Sequence, residues 1–582
     1  MYLRSFTSLL LLLGFGIFPS PAHADHRRPK LDRALVHVLD SGSTAAQAVI
    51  IRTQPGQLAA VESRINAHAH GDTIESRHAT ISALSARVTA ADLDVLAADP
   101  AVLSISTNAT VKGFANPPTG GSGGVDIIRE TLGLTATSPK GNGIGVAILD
   151  SGIQPSADFD GRIVAFYDYV KLNGGFASAY DDFGHGTHVA GLIGSSGANG
   201  SQYQGVASNA RLIVMKVLDG QGAGRTSNVI NAITFLIANK QLLGVDVINL
   251  SLGHPVYESA ATDPLVRAVE AAVASGIVVV TSAGNFGVNS AGQPGYAGIT
   301  VPGNAPSAIT VGAFEDQGTV RRGDDIVAPY SSRGPTWYDA IAKPDILAPG
   351  HRLVANADSK QYLYKTYSQF VVDTKHIRLS GTSMAAAVAT GAVAVLLEAN
   401  RTANGYPAHP SLAPNAVKAM LEYTSFRMHD PSGAEYDSLT QGAGALNLAG
   451  AVALGQAINT AAPVGSWWLA TGVTNSTTIG GQTLPWAQNI LWGTDILWGD
   501  SIYTNEQAWS LNILWGTNIL WGTNILWGTN IVWGNNLIGT TNGANILWGT
   551  FDDTGDNILW GTLDTDNILW GTNIVWGTYH LQ

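Results

Sequence analysis

Residues 379–385 read LSGTSMA and lead into an alanine-rich run at 385–399. Alanine is the strongest helix former, so this run predicts a helix that begins close to Ser383. The first backbone N–H groups of a helix have no partners inside it and carry the positive end of its dipole. A hydroxyl placed there suits nucleophilic chemistry in which negative charge develops on a nearby oxygen.

Three further residues supply the other groups that such chemistry needs. His185 stands in GHGTHVAG at 184–191, at the start of another predicted helix, where glycines allow backbone and substrate to approach closely. Asp150 follows a buried apolar run, a position from which a carboxylate can be held rigidly toward an imidazole. Asn285 follows a second apolar run and could donate its amide to the oxygen of a tetrahedral intermediate.

The region 125–458 predicts an α/β fold. Short apolar runs alternate there with helical patterns, and the clearest runs lie at 146–149, 245–250 and 277–280. Such runs are typical of strands buried on both faces of a parallel sheet. Polar residues just past the carboxyl ends of these strands lie in the crevice where ligands bind, and both Asp150 and Asn285 follow such runs.

The four segments, in the order Asp150, His185, Asn285, Ser383, resemble the subtilase family of serine proteases. YSSRGP at 330–335 and KPDILAPG at 343–350 extend the resemblance. It implies a mostly parallel, subtilisin-like sheet flanked by helices. It also implies that Ser383 is the nucleophile, His185 the general base and then acid, Asp150 its orienting partner and Asn285 an oxyanion donor. The order Asp, His, Ser differs from that of chymotrypsin-like and α/β-hydrolase enzymes.

The resemblance also implies how protein or peptide substrates bind. An extended substrate would pair with two segments by backbone hydrogen bonds, which tolerates varied sequences. The substrate-binding residues expected are Gly222, Ala223, Gly224, Ser251, Leu252 and Gly253, together with Ala283 and Gly284 beside Asn285. His254-Pro255 and an extension at 362–376 depart from the family pattern and leave the side-chain preference open.

Composition excludes several other functions. The 582 residues exceed one usual domain, so several folded units are expected. A net charge of −12 without basic clusters argues against nucleic acid as a partner. The chain has no cysteine, which excludes disulfides, thiolate metal sites and a cysteine nucleophile.

Residues 1–24 predict a signal peptide, because Arg4 precedes an apolar run at 9–18 and the small-x-small sequence at 22–24. A transmembrane anchor is the alternative, but the run is shorter than the roughly 20 residues that span a bilayer. We therefore expect a secreted or extracytoplasmic protein, with retention at the cell surface left open.

Residues 25–115 predict a small α+β domain, followed by a flexible glycine-rich linker at 116–124. Strands are expected at 34–39, 48–51 and 102–106, and helices at 57–68 and 89–98. By the resemblance, this domain is a ferredoxin-like inhibitory propeptide, removed by the protease itself at a bond between about 112 and 125. An unrelated accessory domain is the alternative. Histidines 26, 37, 68, 70 and 78 could make release sensitive to pH.

No cofactor is expected for the chemistry. His188 follows His185 at a spacing that could hold a metal on a helix, but no third ligand is near and a hydrolytic zinc site needs three. The resemblance implies that Asp158 could be a ligand of a structural calcium ion. The loop at 195–204, which would supply the other ligands, contains no carboxylate. Whether the protein binds a structural calcium ion therefore stays open.

Residues 486–582, after an expected linker at 459–485, repeat the sequence NILWGT. A period of six scatters the tryptophans around a helix but returns every Ile and Trp to one face of an extended chain. We therefore expect short strands broken by Gly-Thr-Asn turns, stacked as a β-repeat. A structural stack, surface attachment, self-association, sugar binding and an amyloid-like assembly all remain open roles.

The sequence thus predicts a secreted serine endopeptidase that removes its own propeptide and then degrades proteins of varied sequence. The alternative is a surface or self-assembling repeat protein whose protease domain serves mainly its own maturation.

Overall fold

A computed structural model describes residues 28–67, 71–113, 127–289, 292–492, 495–498, 500–505 and 509, together with short strands among the later repeats. The predicted signal peptide, the predicted linker at 116–124 and most of the repeat region lie outside the described residues.

The N-terminal unit is a four-stranded antiparallel sheet covered by helices. Its helices are α1 (Arg33–Asp40), α2 (Leu58–Ala67) and α3 (Ala90–Ala98), and its strands are β1 (Gln47–Thr53), β2 (Thr73–His78), β3 (Ala83–Val88) and β4 (Val102–Thr107). The strand order is β2-β3-β1-β4. A fifth strand, β5 (Thr110–Gly113), leaves this sheet and joins another one.

The predictions for α2, α3, β1 and β4 are confirmed, whereas the strand predicted at 34–39 is wrong. That stretch is helix α1, since the Asp32 carboxylate accepts the N–H of Leu35 at 2.8 Å and caps the first turn. Leu35 is buried, and Leu39 packs beside it on the same face of the helix. The apolar residues of this stretch therefore recur about every four positions, which is the spacing of a helix and not of a strand.

The central sheet has nine strands: β6 (Gly145–Asp150), β7 (Ile163–Asp168), β8 (Gly175–Phe176), β9 (Arg211–Lys216), β11 (Val247–Leu250), β13 (Val278–Ser282), β14 (Ile309–Glu315), β15 (Ile326–Val327) and β16 (Ile346–Pro349). Their order across the sheet is β15-β14-β13-β11-β6-β9-β7-β8, with β16 beside β14. All pairs are parallel except the edge pairs β7–β8 and β14–β15. A mostly parallel sheet agrees with the α/β prediction.

Smaller sheets flank the central one. β10 (Ala223–Arg225) and β12 (Leu252–Gly253) lie on either side of β5, and β17 (Leu353–Asn356), β18 (Val371–Asp373) and β19 (His376–Leu379) form a second three-stranded sheet. The sheet of β10, β5 and β12 joins the N-terminal unit to the rest of the chain, because its middle strand comes from that unit.

Helices cover both faces of the central sheet. They are α4 (Ile128–Thr131), α5 (His185–Gly194), α6 (Thr226–Ala238), α7 (Lys240–Leu243), α8 (Pro264–Ala274), α9 (Tyr362–Thr366), α10 (Thr382–Asn404), α11 (Pro414–Thr424), α12 (Ser438–Gln441) and α13 (Leu448–Ala457). α10 packs on β11, β13 and β14 and also touches α5 and α13. Among the described residues, α10 alone is long and apolar enough to cross a membrane, and it is almost entirely buried in this core.

The interval 459–485, expected to be a linker, instead packs on the core. Trp468 and Trp486 are both 3% exposed, and Trp468 Nε1 donates to the carbonyl of Ile502 at 2.7 Å. A hairpin of β20 (Ser476–Ile479) and β21 (Gln482–Pro485) belongs to this layer. The sequence pattern around these tryptophans is too irregular to reveal such packing.

The first two repeats form a hairpin of β22 (Asn489–Trp492) and β23 (Asp495–Trp498). In the register of this hairpin, Ile490 is opposite Leu497 and Leu491 is opposite Ile496. The stacked β-repeat with a single Ile–Trp face stays a prediction. Later described strands are β24 (Leu520–Trp521), β25 (Ile525–Leu526), β26 (Asn530–Ile531), β27 (Trp548–Gly549), β28 (Ile558–Leu559) and β29 (Leu569–Trp570).

Candidate active site

Asp150 and His185 meet at the carboxyl edge of the central sheet. Asp150 is the last residue of β6 and His185 the first of α5, and both side chains are fully buried. His185 Nδ1 lies 2.8 Å from Asp150 Oδ1 and 2.9 Å from Oδ2. A carboxylate only accepts, so these contacts favour the tautomer with the proton on Nδ1. His185 Nε2, which has no hydrogen-bond partner among the described residues, is then the basic nitrogen.

Asp181 holds this pair in place. Its carboxylate accepts the N–H of Gly184 at 2.8 Å and that of Thr187 at 2.9 Å, and so caps the first turn of α5. The same carboxylate accepts the hydroxyl of Ser151 at 2.9 Å. Because Ser151 follows Asp150 directly, one buried side chain fixes the segments that carry both members of the pair.

Gly186 allows α5 to approach the loop after β6. A Cβ atom at this position would lie 2.2 Å from the carbonyl oxygen of Gly152 and 3.2 Å from Asp150 Cβ. Neither the backbone nor the buried Asp150 can yield this space, so a glycine is required here. The glycines beside His185 that the sequence singled out therefore serve close packing of the site.

Ser383 lies in the first turn of α10, as the alanine-rich run predicts. Its hydroxyl donates to the carbonyl oxygen of Ser251 at 3.0 Å, and the Ser251 hydroxyl donates back to the carbonyl of Ser383 at 2.9 Å. The Ser251 hydroxyl also accepts from Asn249 Nδ2 at 3.0 Å. Ser251, predicted to bind substrate, thus positions the candidate nucleophile as well.

Asn285 is oriented by the residue that precedes Ser383. Its Oδ1 accepts the backbone N–H of Thr382 at 3.0 Å and the Thr382 hydroxyl at 2.9 Å. With the carbonyl side bound to α10, the amide nitrogen is turned away from that helix. This is the orientation that an oxyanion donor needs.

The predicted substrate segments are paired with the chain's own strand β5. Ala223 is opposite Lys112 and Gly224 opposite Val111, while on the other side Leu252 is opposite Gly113. The other predicted residues of these segments also contact β5: Gly253 pairs with Lys112, and the carbonyl of Gly222 accepts the N–H of Gly113 at 3.3 Å. β5 ends at the candidate histidine, since a Cβ on Gly113 would lie 3.1 Å from His185 Nδ1.

Ala283 and Gly284, also predicted to bind substrate, do not pair with β5. The N–H of Ala283 donates to the carbonyl of Val311 at 3.0 Å, and that of Gly284 donates to the Thr382 hydroxyl at 3.1 Å. Both residues instead place Asn285 beside α10.

Sequence reasoning missed an aromatic wall beside His185, formed by Phe183 and Tyr362. The Phe183 ring lies 6.5 Å from the His185 ring and stacks on Tyr362 at 5.8 Å with an angle of 20° between the planes. An aromatic residue two positions before His185 was the available signal for Phe183. Tyr362 belongs to the extension at 362–376, and nothing in its local sequence indicates a contact with a residue so far away in the chain.

His188 is not exposed to the cleft. It is buried inside α5, and its Nε2 lies 3.2 Å from the carbonyl oxygen of Leu353, to which it donates. Burial and the neighbouring His185 lower the pKa of His188 to about 3, so the ring is neutral. In the described part of the chain, no three His, Asp or Glu residues are grouped to hold a metal ion.

The carboxylate of Asp158, where a calcium ion was considered, is bound by donors of the protein. Its carboxylate accepts two hydrogen bonds from Asn199, at 2.9 and 2.6 Å, and one from Asn356 Nδ2 at 2.5 Å. Burial alone would raise the pKa of Asp158, but these bonds lower it below its ordinary value. A structural calcium ion at Asp158 stays a prediction.

Several known proteins are similar to this chain. The model of the Subtilase family matches residues 141–451. Serine protease AprX of Bacillus subtilis is 37% identical over 381 residues, which cover 64% of this chain and 80% of that protein. Subtilisin DY of Bacillus licheniformis is 32% identical over 53% of this chain and 92% of its own.

A solved structure is similar in fold. Fervidolysin from Fervidobacterium pennivorans, described as a keratinolytic enzyme related to subtilisin, aligns with a TM-score of 0.53 at 22% identity. The alignment covers 71% of this chain and 61% of that one. At this level of identity the similarity concerns the fold alone.

Proposed function

Because this chain belongs to the subtilase family and is a serine endopeptidase, we propose that it works through Asp150, His185 and Ser383 after removing its own N-terminal unit. The observation that carries the proposal is the buried pair of contacts from His185 Nδ1 to Asp150, with Ser383 at the start of α10. The intact site favours this function over a repeat protein whose protease serves only maturation.

The proposed reaction uses these groups in turn. His185 Nε2 takes the proton of Ser383 as the hydroxyl leaves the Ser251 carbonyl and its oxygen bonds to the substrate carbonyl carbon. Asn285 Nδ2 and the backbone N–H of Ser383 donate to the resulting oxyanion. His185 then gives the proton to the leaving amine as the peptide bond breaks, and a water molecule repeats the sequence to release the acyl group. Asp150 stays ionised and stabilises the imidazolium.

The N-terminal unit acts, in this proposal, as an intramolecular inhibitor. β5 fills the groove between β10 and β12 and ends against His185, where a substrate would otherwise lie. The order of strands and helices in the unit, with sheet order β2-β3-β1-β4, supports a ferredoxin-like propeptide over an unrelated accessory domain.

A second contact supports this role. Asn108 Oδ1 accepts the N–H of Ser227 at 3.0 Å, and the carbonyl of Ala109 accepts the N–H of Thr226 at 3.0 Å. These residues begin α6, so the N-terminal unit caps a helix of the protease. Removal of the unit exposes these N–H groups to water.

The proposal places the protein outside the cell, on the strength of the predicted signal peptide. The known proteins it is similar to include subtilisins. Surface attachment or self-association of the repeat tail remains part of the proposal.

A fluorophosphonate probe tests the proposed function. The purified protein should be labelled on Ser383 and should cleave casein, and Ser383→Ala should do neither and should stay full length. Ser432→Ala, on an exposed loop, is the matched control and should behave as wild type. Absence of labelling and of casein cleavage in a protein that carries all four residues would refute the proposal.

A further inference from the structure

The groove leaves little space for a side chain directly over the ring of His185. Gly113 occupies this position, and a Cβ atom there would lie 3.1 Å from Cε1 and Nδ1 and 3.2 Å from Cγ of His185. These distances are shorter than ordinary carbon contacts of about 3.5–4.0 Å. The ring cannot shift without breaking its two contacts to Asp150, so the space for a side chain is limited by a fixed group.

The Phe183–Tyr362 wall adjoins both groups that contact Gly113, because Phe183 lies beside the His185 ring and beside Gly222, whose carbonyl accepts the N–H of Gly113. Phe183 is buried, and a Cβ atom on Gly222 would lie 2.4 Å from its ring, so the wall contacts the residue directly before β10. The wall is anchored by two backbone hydrogen bonds: Tyr362 N–H donates to the Asp182 carbonyl at 3.0 Å, and Leu363 N–H donates to the Phe183 carbonyl at 2.9 Å. Helix α9 thereby holds the Tyr362 ring against Phe183.

The register relates this position to the bond that is cut. Gly113 is opposite Leu252, and the strands are antiparallel, so the next residue of a bound peptide comes opposite Ser251. The Ser251 carbonyl is the group that accepts the Ser383 hydroxyl at 3.0 Å. The narrow position therefore belongs to the residue immediately before the one whose carbonyl is attacked.

We propose that the Phe183–Tyr362 wall makes this peptidase select substrates with glycine at the residue immediately before the one that supplies the scissile carbonyl. The inference rests on the proposed function and adds a substrate class to it: extended, glycine-containing protein segments. Residues with larger side chains must displace either the His185 ring or the wall, whereas glycine displaces neither.

Peptide p-nitroanilides that copy the sequence of β5 test the selection. The probes are succinyl-Val-Lys-Gly-Phe-p-nitroanilide and its counterpart with leucine in place of glycine, and Val111 justifies the first residue because it is fully buried in the groove. The wild-type enzyme should prefer the glycine probe by at least about tenfold in kcat/KM. Tyr362→Ala should bring this ratio closer to one by raising the rate on the leucine probe.

Two variants serve as controls. Tyr362→Phe keeps the stacked ring and should keep the wild-type ratio. Tyr367 lies in the same extension and its ring contacts Phe370, so Tyr367→Ala should also keep the wild-type ratio. Equal kcat/KM for both probes in the wild type, or a ratio unaltered in a folded Tyr362→Ala, overturns the selection. Failure of the proposed function has a different signature, since neither probe would be cleaved and Ser383 would not be labelled.

Discussion

At the scale of single residues, polar groups of the cleft are oriented before any substrate binds. His185 is held by Asp150, Ser383 donates to the Ser251 carbonyl, and Asn285 is turned by Thr382. Such preorganisation lowers the reaction barrier because little reorganisation is needed when charge develops. Loss of an orienting group should therefore slow the chemical step more than it weakens binding.

Asn285→Ala should reduce kcat by about 10²–10³, the loss known for removal of such a donor in subtilisin, with little change in KM. Thr382→Val should cause a smaller loss of kcat, because one of two bonds to Asn285 Oδ1 disappears. Thr382→Ser keeps the hydroxyl and is the matched control. Steady-state kinetics on the glycine probe measure all three. An Asn285→Ala enzyme with wild-type kcat would contradict the assigned role.

At the scale of elements, strand β5 is part of the N-terminal unit in the sequence, but its hydrogen bonds are to strands of the protease. It follows β4 of the N-terminal sheet after a short connection, yet its partners are β10 and β12 of the protease. The same strand pairing that would bind a substrate thus holds the N-terminal unit in place, and its register indicates where the chain can be cut.

The mature protein should begin at Ala115. A bound peptide in the register of β5 would place its next residue opposite Ser251, and Phe114 is the residue that follows Gly113 in the sequence, so the Phe114–Ala115 bond is the expected cleavage site. N-terminal sequencing and the intact mass of the mature protein check this, with Ser383→Ala as the unprocessed control. A different first residue within 112–125 would show that β5 does not mark the cleavage register.

At the scale of the whole molecule, two layers beyond the central sheet are packed against the protease. The N-terminal unit meets it through β5, through the cap on α6 and through Arg33, whose N–H donates to the Tyr257 carbonyl at 3.1 Å. The C-terminal layer meets it on α11, where the Leu491 N–H donates to Glu422 at 2.7 Å. Burial of ionisable groups at the first contact should make retention of the N-terminal unit depend on pH, and burial of apolar groups in the C-terminal layer should stabilise the fold.

Retention of the cleaved N-terminal unit should be strongest between about pH 5 and 6.5 and weaken on both sides. Burial and the neighbouring Asp263 and Asp32 raise the pKa of Glu258 at this interface to about 8, so retention is lost as pH rises from about 4.5 to 8. Burial of His78, on β2 facing Asn231 of α6, lowers its pKa to about 4, so retention is lost as pH falls from 6.5 toward 4.

Gel filtration of the processed protein at pH 4 to 9 measures this dependence. Glu258→Gln should reduce the loss at high pH and leave the loss at low pH, whereas His78→Gln should reduce the loss at low pH and leave the loss at high pH. Of the other histidines considered, His37 lies on α1 and positions 26, 68 and 70 lie outside the described residues. A profile that is flat from pH 5 to 8 in the wild type would exclude control of release by these groups.

Truncation should separate the packed layer from the remaining repeats. Trp468, Trp486, Ile490 and Leu491 are all at most 3% exposed, and burial of four such side chains contributes about 6–12 kcal/mol. That equals much of the net stability of a native protein, about 5–15 kcal/mol. A chain ending at 457 should therefore fail to fold, whereas a chain ending at 509 should keep its activity and its melting temperature. A stable, active protein ending at 457 would contradict the packing.

The sequence alone determined the chemistry and the type of sheet. Asp150, His185 and Ser383 stand in short motifs, and the buried strands are continuous apolar runs, because both features depend on neighbours within a few positions. Only the tertiary structure showed that 34–39 is a capped helix, that 459–485 is a packed layer and that Tyr362 lies on Phe183. The helix at 34–39 has a local signal in its Asp32 cap, which the apolar pattern obscured. The packed layer and the Tyr362–Phe183 contact depend on residues far apart in the chain, which leave no periodic or local pattern, since burial against a distant surface is decided only when the whole fold assembles.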